Sequence, residues 1–337
     1  MKQLYEVLKK TGKKPVNINN KAIILPFGGR VIGLSPDGDS NVFWINSALE
    51  TERTADNFFN SDGWLNSGGD RTWISPELDT HGNPNDADNY EFSSLIDPGN
   101  YRVITSDHSS VSLFCAIDVL FKRSGHRVQL ELQKKISLVD PPSIEIPGSV
   151  QFAGYIVESE LLSLKKLPED VRPGIWNILE VPGGGEIIIP FKGEAKPRSF
   201  YKHPVYRQSD GCIITQVDTD SGYKFAIHAD HCTGIMLYVN IKKDPATLIA
   251  RRFPVFSPSC YADVPGDDPD DTGYMQQFYV DDGGLGGYGE MEYHSPFIGF
   301  DRKNEVHDVS KVWAFSGNKE AIQSLSQTIL QSIRRKE

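Results

Sequence analysis

Alternation of apolar and polar positions dominates this chain. In RVQLELQ, residues 127–133, Val128, Leu130 and Leu132 fall on one side and Gln129, Glu131 and Gln133 on the other. That two-residue period is the mark of an antiparallel strand with one solvated face. Runs such as KAIILPF, SNVFWIN, YRVITS, VSLFCAIDVLF, VQFAGYIVES, GIWNILEV, GEIIIPF, GCIITQV, YKFAIHA, IMLYVNI, YMQQFYV, GEMEYHSPFIGF and KVWAFS also read as strands, with PDGD, TDSG and PGGG as turns between them. Helical spacing is confined to the ends. Leu4, Val7 and Leu8 share a face within residues 2–10, and Ile322, Leu325, Ile329 and Ile333 share one within residues 319–335. Asn318 is placed to cap the second helix, and Arg334, Arg335 and Lys336 suit the negative end of its dipole. Strands without interleaved helices exclude a doubly wound α/β sheet and predict an all-β, large antiparallel sandwich with short terminal helices. No linker and no fixed-period repeat divides the chain, so residues 1–337 are expected to form a single domain, with the 319–335 helix packed outside.

Composition narrows the partners. A net charge of -10 over 337 residues opposes nucleic acid and anionic membrane surfaces, both of which reward a basic footprint. Cys115, Cys212, Cys232 and Cys260 are too widely spaced for a disulfide framework and read as thiols in a reducing compartment. The first residues lack an apolar signal segment and no window reaches membrane-spanning length, so a cytoplasmic protein is expected. Oligomeric state is not legible here.

Several short stretches bear on chemistry. GGLGGYG satisfies GxGxxG by spacing but runs into a strand, so a glycine-rich hairpin is expected rather than a nucleotide loop. HADHC (His228, His231, Cys232) is either a metal cluster lacking a fourth ligand or a strand end with solvated histidines; the acidic loop 263–273 is either a calcium loop without EF-hand spacing or a solvated surface. We expect no metal and no cofactor. In GEMEYHSP, strand geometry puts Glu290, Glu292 and His294 on one face, which makes it an exposed polar face or the floor of a polar cleft. Glu180 interrupts the apolar row of Trp176 and Ile178, and a buried carboxylate needs a partner or ligand unless the strand simply ends at water. GGDRTWISPE, residues 68–77, reads as a rigid loop presenting Arg71, Trp73 and Glu77.

Three of these motifs, GGDRTWISPE, WNILEVPGGGEIIIP and YGEMEYHSPF, occur in an order and spacing that resembles the galactose-mutarotase-like superfamily over most of residues 20–316, and within it a bacterial branch carrying GG(D/E)R-x-W-x-(S/G/A)PE. The resemblance implies a supersandwich whose concave face binds a small-molecule carbohydrate. It also implies an aldose epimerase pattern with Arg71 on the sugar and Glu292, or Glu290, as base; to these the residues themselves add His228 or His294 as acid and Trp73, Glu77, Glu180 and Glu290 as further substrate contacts. The histidine motifs of the characterised epimerases have no clear counterpart here, and Glu180 stands where the branch more often has Gln. An acid–base isomerase and a noncatalytic sugar-binding or sensing protein are therefore both carried forward.

Overall fold

The long alternating strands gather in one sheet, which also holds the apolar runs Glu186–Pro190 and Ile235–Asn240, and the centre of the other sheet is buried on both faces. The computed structural model describes residues 1–82, 90–218 and 220–334. Among these residues the strands form two antiparallel sheets, of nine and ten strands. The ten-stranded sheet holds the alternating segments, including Ser110–Phe121, His126–Leu138, Gln151–Ser163 and Glu305–Gly317, whose outward residues are largely solvated. The centre of the nine-stranded sheet runs Asp70–Ser75, Gly174–Pro182, Tyr288–Phe297, Tyr274–Val280, Tyr223–His228 in neighbour order. The first three of these strands are buried on both faces, so polarity along them does not separate a solvated face from a buried one.

Between the sheets lies an apolar core that includes Ile74, Leu179, Phe225, Met291, Val157 and Val312, crossed by polar ties. Arg251 pairs with Asp70 at 3.1 Å, and the Tyr155 hydroxyl donates to the same carboxylate at 2.7 Å. Asn177 donates to Asp308 at 3.0 Å, and Tyr293 bonds that carboxylate too. Leu4, Val7 and Leu8 are buried within Lys2–Lys10, and Lys319–Arg334 lies on the outer face of the ten-stranded sheet, where Ile322, Leu325 and Ile329 are buried among Leu237, Leu248 and Phe315, with Ile333 partly so. The Asn318 side chain accepts the Ala321 N–H at 2.8 Å. The side chain of Arg334, and Arg335 and Lys336 altogether, lie outside the described residues. GGLGGYG is a hairpin turn held by Asp281, whose carboxylate accepts the N–H groups of Gly283, Leu285 and Gly287. No helix among the described residues is long and apolar enough to cross a membrane.

Three expectations are corrected. SNVFWIN is not a regular strand: Asn41 turns its side chain onto the backbone N–H groups of Leu34 and Phe43, and only an isolated bridge, Ile45 to Gly68, remains. A helix, Glu52–Phe59, capped by Thr51, and a strand, Ala246–Arg252, were not anticipated. GGDRTWISPE is not a loop either. Asp70–Ser75 is a fully buried central strand, and Arg71 projects from it rather than from a turn. The two glycines serve the chain itself: both have positive φ, and a Cβ on Gly68 or Gly69 would clash with the carbonyl oxygen of Trp44 or Val31.

Candidate functional site

Register places the candidate side chains on one grid. Arg71 and Glu292 each pair with Ile178 from opposite sides. One step along, Glu180 pairs with Glu290, Glu290 with Tyr279 and Tyr279 with Lys224. One step the other way, Trp73, Trp176 and His294 align. Because side chains alternate along a strand, all of these share one face. The residues between them, Asp70, Asn177 and Tyr293, reach Arg251 and Asp308 of the ten-stranded sheet. The grid therefore occupies the opposite, outer face.

Two cations organise this face. Arg71 pairs with Glu180 and with Glu290, the latter at 2.6 Å, and its guanidinium lies over the rings of Trp73 and Trp64. Asn66 adds a hydrogen bond to Glu180 at 2.9 Å. Lys224 pairs with Glu77 at 2.6 Å and Glu292 at 3.3 Å, with its ammonium 4.6 Å from the centre of the Trp176 ring. The Trp176 indole donates to Glu292 at 2.8 Å. Asp263 accepts the Glu77 backbone N–H at 2.7 Å and the Gln277 side chain at 2.6 Å, and lies 3.7 Å from the His294 ring. Arg71, Glu180, Glu292, His294 and Asp263 are at most 2% exposed, whereas Glu77 and Tyr279 on the same face are half-buried and the neighbouring Tyr201 is exposed.

Among the described residues, the carboxylates of Glu77, Glu180, Glu290 and Glu292 pair directly with two cations, Arg71 and Lys224, and Asp263 lies beside them, while Arg30 and Arg123 act on Glu180 and Asp263 without pairing with them. Burial pushes Glu180 up to about 7 against the pull of Arg71, and Glu292 up to about 8 against the pull of Lys224, with Glu290 adding repulsion to both. Burial also raises Asp263. Lys224 is itself buried, yet Glu292 and Glu77 hold its proton more firmly than usual. Burial lowers His294 to about 3, with Lys224 acting in the same direction.

These positions revise several expected roles. Arg71, Glu180, Glu290, Glu292 and His294 share the outer face, and Glu77 reaches its edge through Lys224. His228 does not join them: it lies beyond a bulge at the strand end, where its ring meets Asp230 at 3.4 Å and the edge of Tyr274. His294 is a neutral imidazole at physiological pH and holds no imidazolium proton to give. Glu292 holds a proton near neutrality, which suits a donor better than a base. Trp73 offers no free ring face of the expected kind, because His81 stacks on it at 4.0 Å, while its N–H is bound to Asp97. Asp70, adjacent to Arg71, points the other way into the core. Among HADHC, the ring of His231 meets the Lys192 carbonyl and Cys232 is buried, away from the outer face's acids. No group of three His, Cys, Asp or Glu side chains among the described residues is arranged to hold a metal ion.

Lys224 and Asp263 were missed. A lysine inside the apolar run YKFAIHA was a usable signal; Asp263 was hidden among the aspartates of a loop whose Asp267 and Asp271 do pair at the surface, with Arg198.

Comparison with solved structures gives three similar chains. A structure named "Putative aldose 1-epimerase" from Escherichia coli K12 is 8% identical, with a TM-score of 0.47 over 90% of this chain and 97% of that one. The GalM/aldose epimerase homologue from C. elegans is 13% identical, with a TM-score of 0.39 over 90% and 98%. Galactose 1-epimerase from Lactobacillus acidophilus NCFM is 10% identical, with a TM-score of 0.41 over 88% and 91%. No curated protein matches the sequence. The model of the family of unknown function DUF6786 matches residues 2–334, and the chain belongs to that family.

Proposed function

We propose that this protein binds a small carbohydrate on the outer face of the nine-stranded sheet, at the row formed by Arg71, Glu180, Glu290, Glu292 and Lys224. The observation that supports this most is a set of unsatisfied polar atoms. Glu180 Oε2, Glu292 Oε1 and the Tyr288 hydroxyl are buried with no hydrogen-bond partner among the described residues. Such groups cost stability unless something bonds them, and sugar hydroxyls both donate and accept. Tyr279, half-buried beside Glu290, and the more exposed Tyr201 next to it supply apolar ring surface for sugar C–H groups. Titration calorimetry with a panel of neutral mono- and disaccharides tests this reading. Saturable heat that is lost in Glu180→Gln supports it, and no heat from any sugar sinks it.

A second reading, an aldose epimerase, is favoured by the proton affinities of Glu180 and Glu292, which lie near neutrality where acid–base catalysts work. In that reaction Glu290 takes the proton of the anomeric hydroxyl, the C1–O5 bond breaks, and Glu292 delivers its proton to O5. The open aldehyde rotates about C1–C2 and recloses by the reverse transfers, with no net change in protons or electrons. Polarimetry of a freshly dissolved anomer distinguishes the readings: acceleration that falls by about 100-fold in Glu292→Gln supports catalysis, and an unaccelerated rate leaves binding alone.

A further inference from the structure

We propose that this site selects its ligand by charge, so that it takes a sugar bearing an ammonium group in preference to a neutral one and turns away a sugar bearing a carboxylate or phosphate. The inference rests on the sugar-binding reading above and names the substrate class for it. Arg71 looks at first like a clamp for a substrate carboxylate. Its guanidinium is already engaged by Glu180 and Glu290, and Lys224 is likewise engaged by Glu77 and Glu292. Both terminal nitrogens of Arg71 are thus taken, and its one unpartnered N–H, at Nε, is buried; a ligand carboxylate would have to displace Glu180 or Glu290 to gain a two-pronged pair. The acids, in contrast, outnumber the cations and retain free acceptor capacity. Glu180 Oε2 and Glu292 Oε1 belong to side chains with no solvent exposure and lack any partner among the described residues.

Position reinforces the count. Glu290 and Glu292 are two residues apart on one strand and point to the same face, so charges on both would repel one another, which helps to keep Glu292 protonated near neutrality. A ligand ammonium held near both relieves that repulsion and supplies the donors that the free oxygens lack. A ligand carboxylate adds a like charge beside Glu290 and brings only acceptors, so it leaves Glu180 Oε2 unsatisfied.

The test uses the full chain at pH 7 and low ionic strength, with calorimetry against D-glucosamine, N-acetyl-D-glucosamine, D-glucose and D-glucuronate, and against their galacto counterparts. The amino sugar is expected to bind about ten-fold or more tightly than its N-acetyl and hydroxyl counterparts, and the uronate about ten-fold or more weakly than the neutral sugar. The N-acetyl sugar keeps the nitrogen and removes its charge, so it isolates the charge itself. Glu290→Gln, which removes one acid while preserving shape, is expected to narrow the gap between amino sugar and uronate. A uronate that binds as well as the neutral sugar overturns charge selection while leaving the sugar site standing, as does a gap that Glu290→Gln does not change. Binding by none of these sugars overturns the sugar reading itself, and this inference with it.

Discussion

Arg71 and Glu290 form a 2.6 Å ion pair across 219 residues of sequence, on side chains that are 2% and 8% exposed. The same guanidinium holds Glu180. Removing Arg71 therefore strands two buried carboxylates. Arg71→Ala is expected to cost about 3 to 5 kcal/mol of stability, read as a lower urea midpoint with an unchanged slope. A loss below about 1 kcal/mol would show that the row is hydrated and open in solution.

Stability should depend on pH in two limbs. Glu180 and Glu292 have folded values raised to about 7 and about 8, above the ordinary carboxylate range. Between those ranges the folded chain binds more protons than the unfolded one, so these groups lower stability as pH rises. His81 and His294 are lowered by burial to about 3; they lower stability as pH falls from about 6.5 toward 3. The two effects oppose each other between about 4.5 and 6.5. Above that window only the carboxylates act, and melting temperature should decline toward pH 8. Below it the histidines act, and melting temperature should decline again. A rise from pH 6.5 to 8 would contradict the burial of the acid row.

The C-terminal helix should contribute to the fold rather than trail from it. Leu325 is 1% exposed against the outer face of the ten-stranded sheet. Leu325→Ala is expected to destabilise by about 2 to 5 kcal/mol, measured by urea unfolding, and deletion from residue 319 onward should cost more. Equal melting temperatures with and without the helix would mean that it does not dock.

Gly69 tests the entry to the Arg71 strand. At φ 80°, with a Cβ clashing with the Val31 carbonyl oxygen and meeting Ile32 Cα at 2.9 Å, Gly69→Ala adds both a disfavoured backbone conformation and an overlap with main chain. A loss of more than about 1 kcal/mol is expected. Gly125→Ala is the control: its φ is also positive, but nothing lies within 4 Å of a Cβ there, so its loss should be smaller.

What the sequence revealed followed from periodicity. The strand His126–Leu138 and the helix Lys319–Arg334 each have one face in a core and one facing water, so their residues sort by polarity. Asp70–Ser75 lies between two buried faces that are both partly polar, and such a strand has no alternation to read. The acid row was half legible. Glu180 announced itself by breaking an apolar row, and Glu290 and Glu292 by sharing a strand face. Their partners were not, because Lys224 and Glu77 meet across 147 residues, and no local pattern encodes so distant a pairing.

Asp70 and Arg71 are consecutive, yet one is tied to Arg251 between the sheets and the other to Glu180 and Glu290 outside them. Side chains alternate across a strand, so a slip of one residue turns each to the other face. A slip in one direction puts Asp70 in the place of Arg71, beside Glu180 and Glu290, and a slip in the other puts Arg71 in the place of Asp70, beside Arg251. Opposite charges in adjacent positions thus act as a key for the alignment of this strand, because either misfolded register meets a like charge.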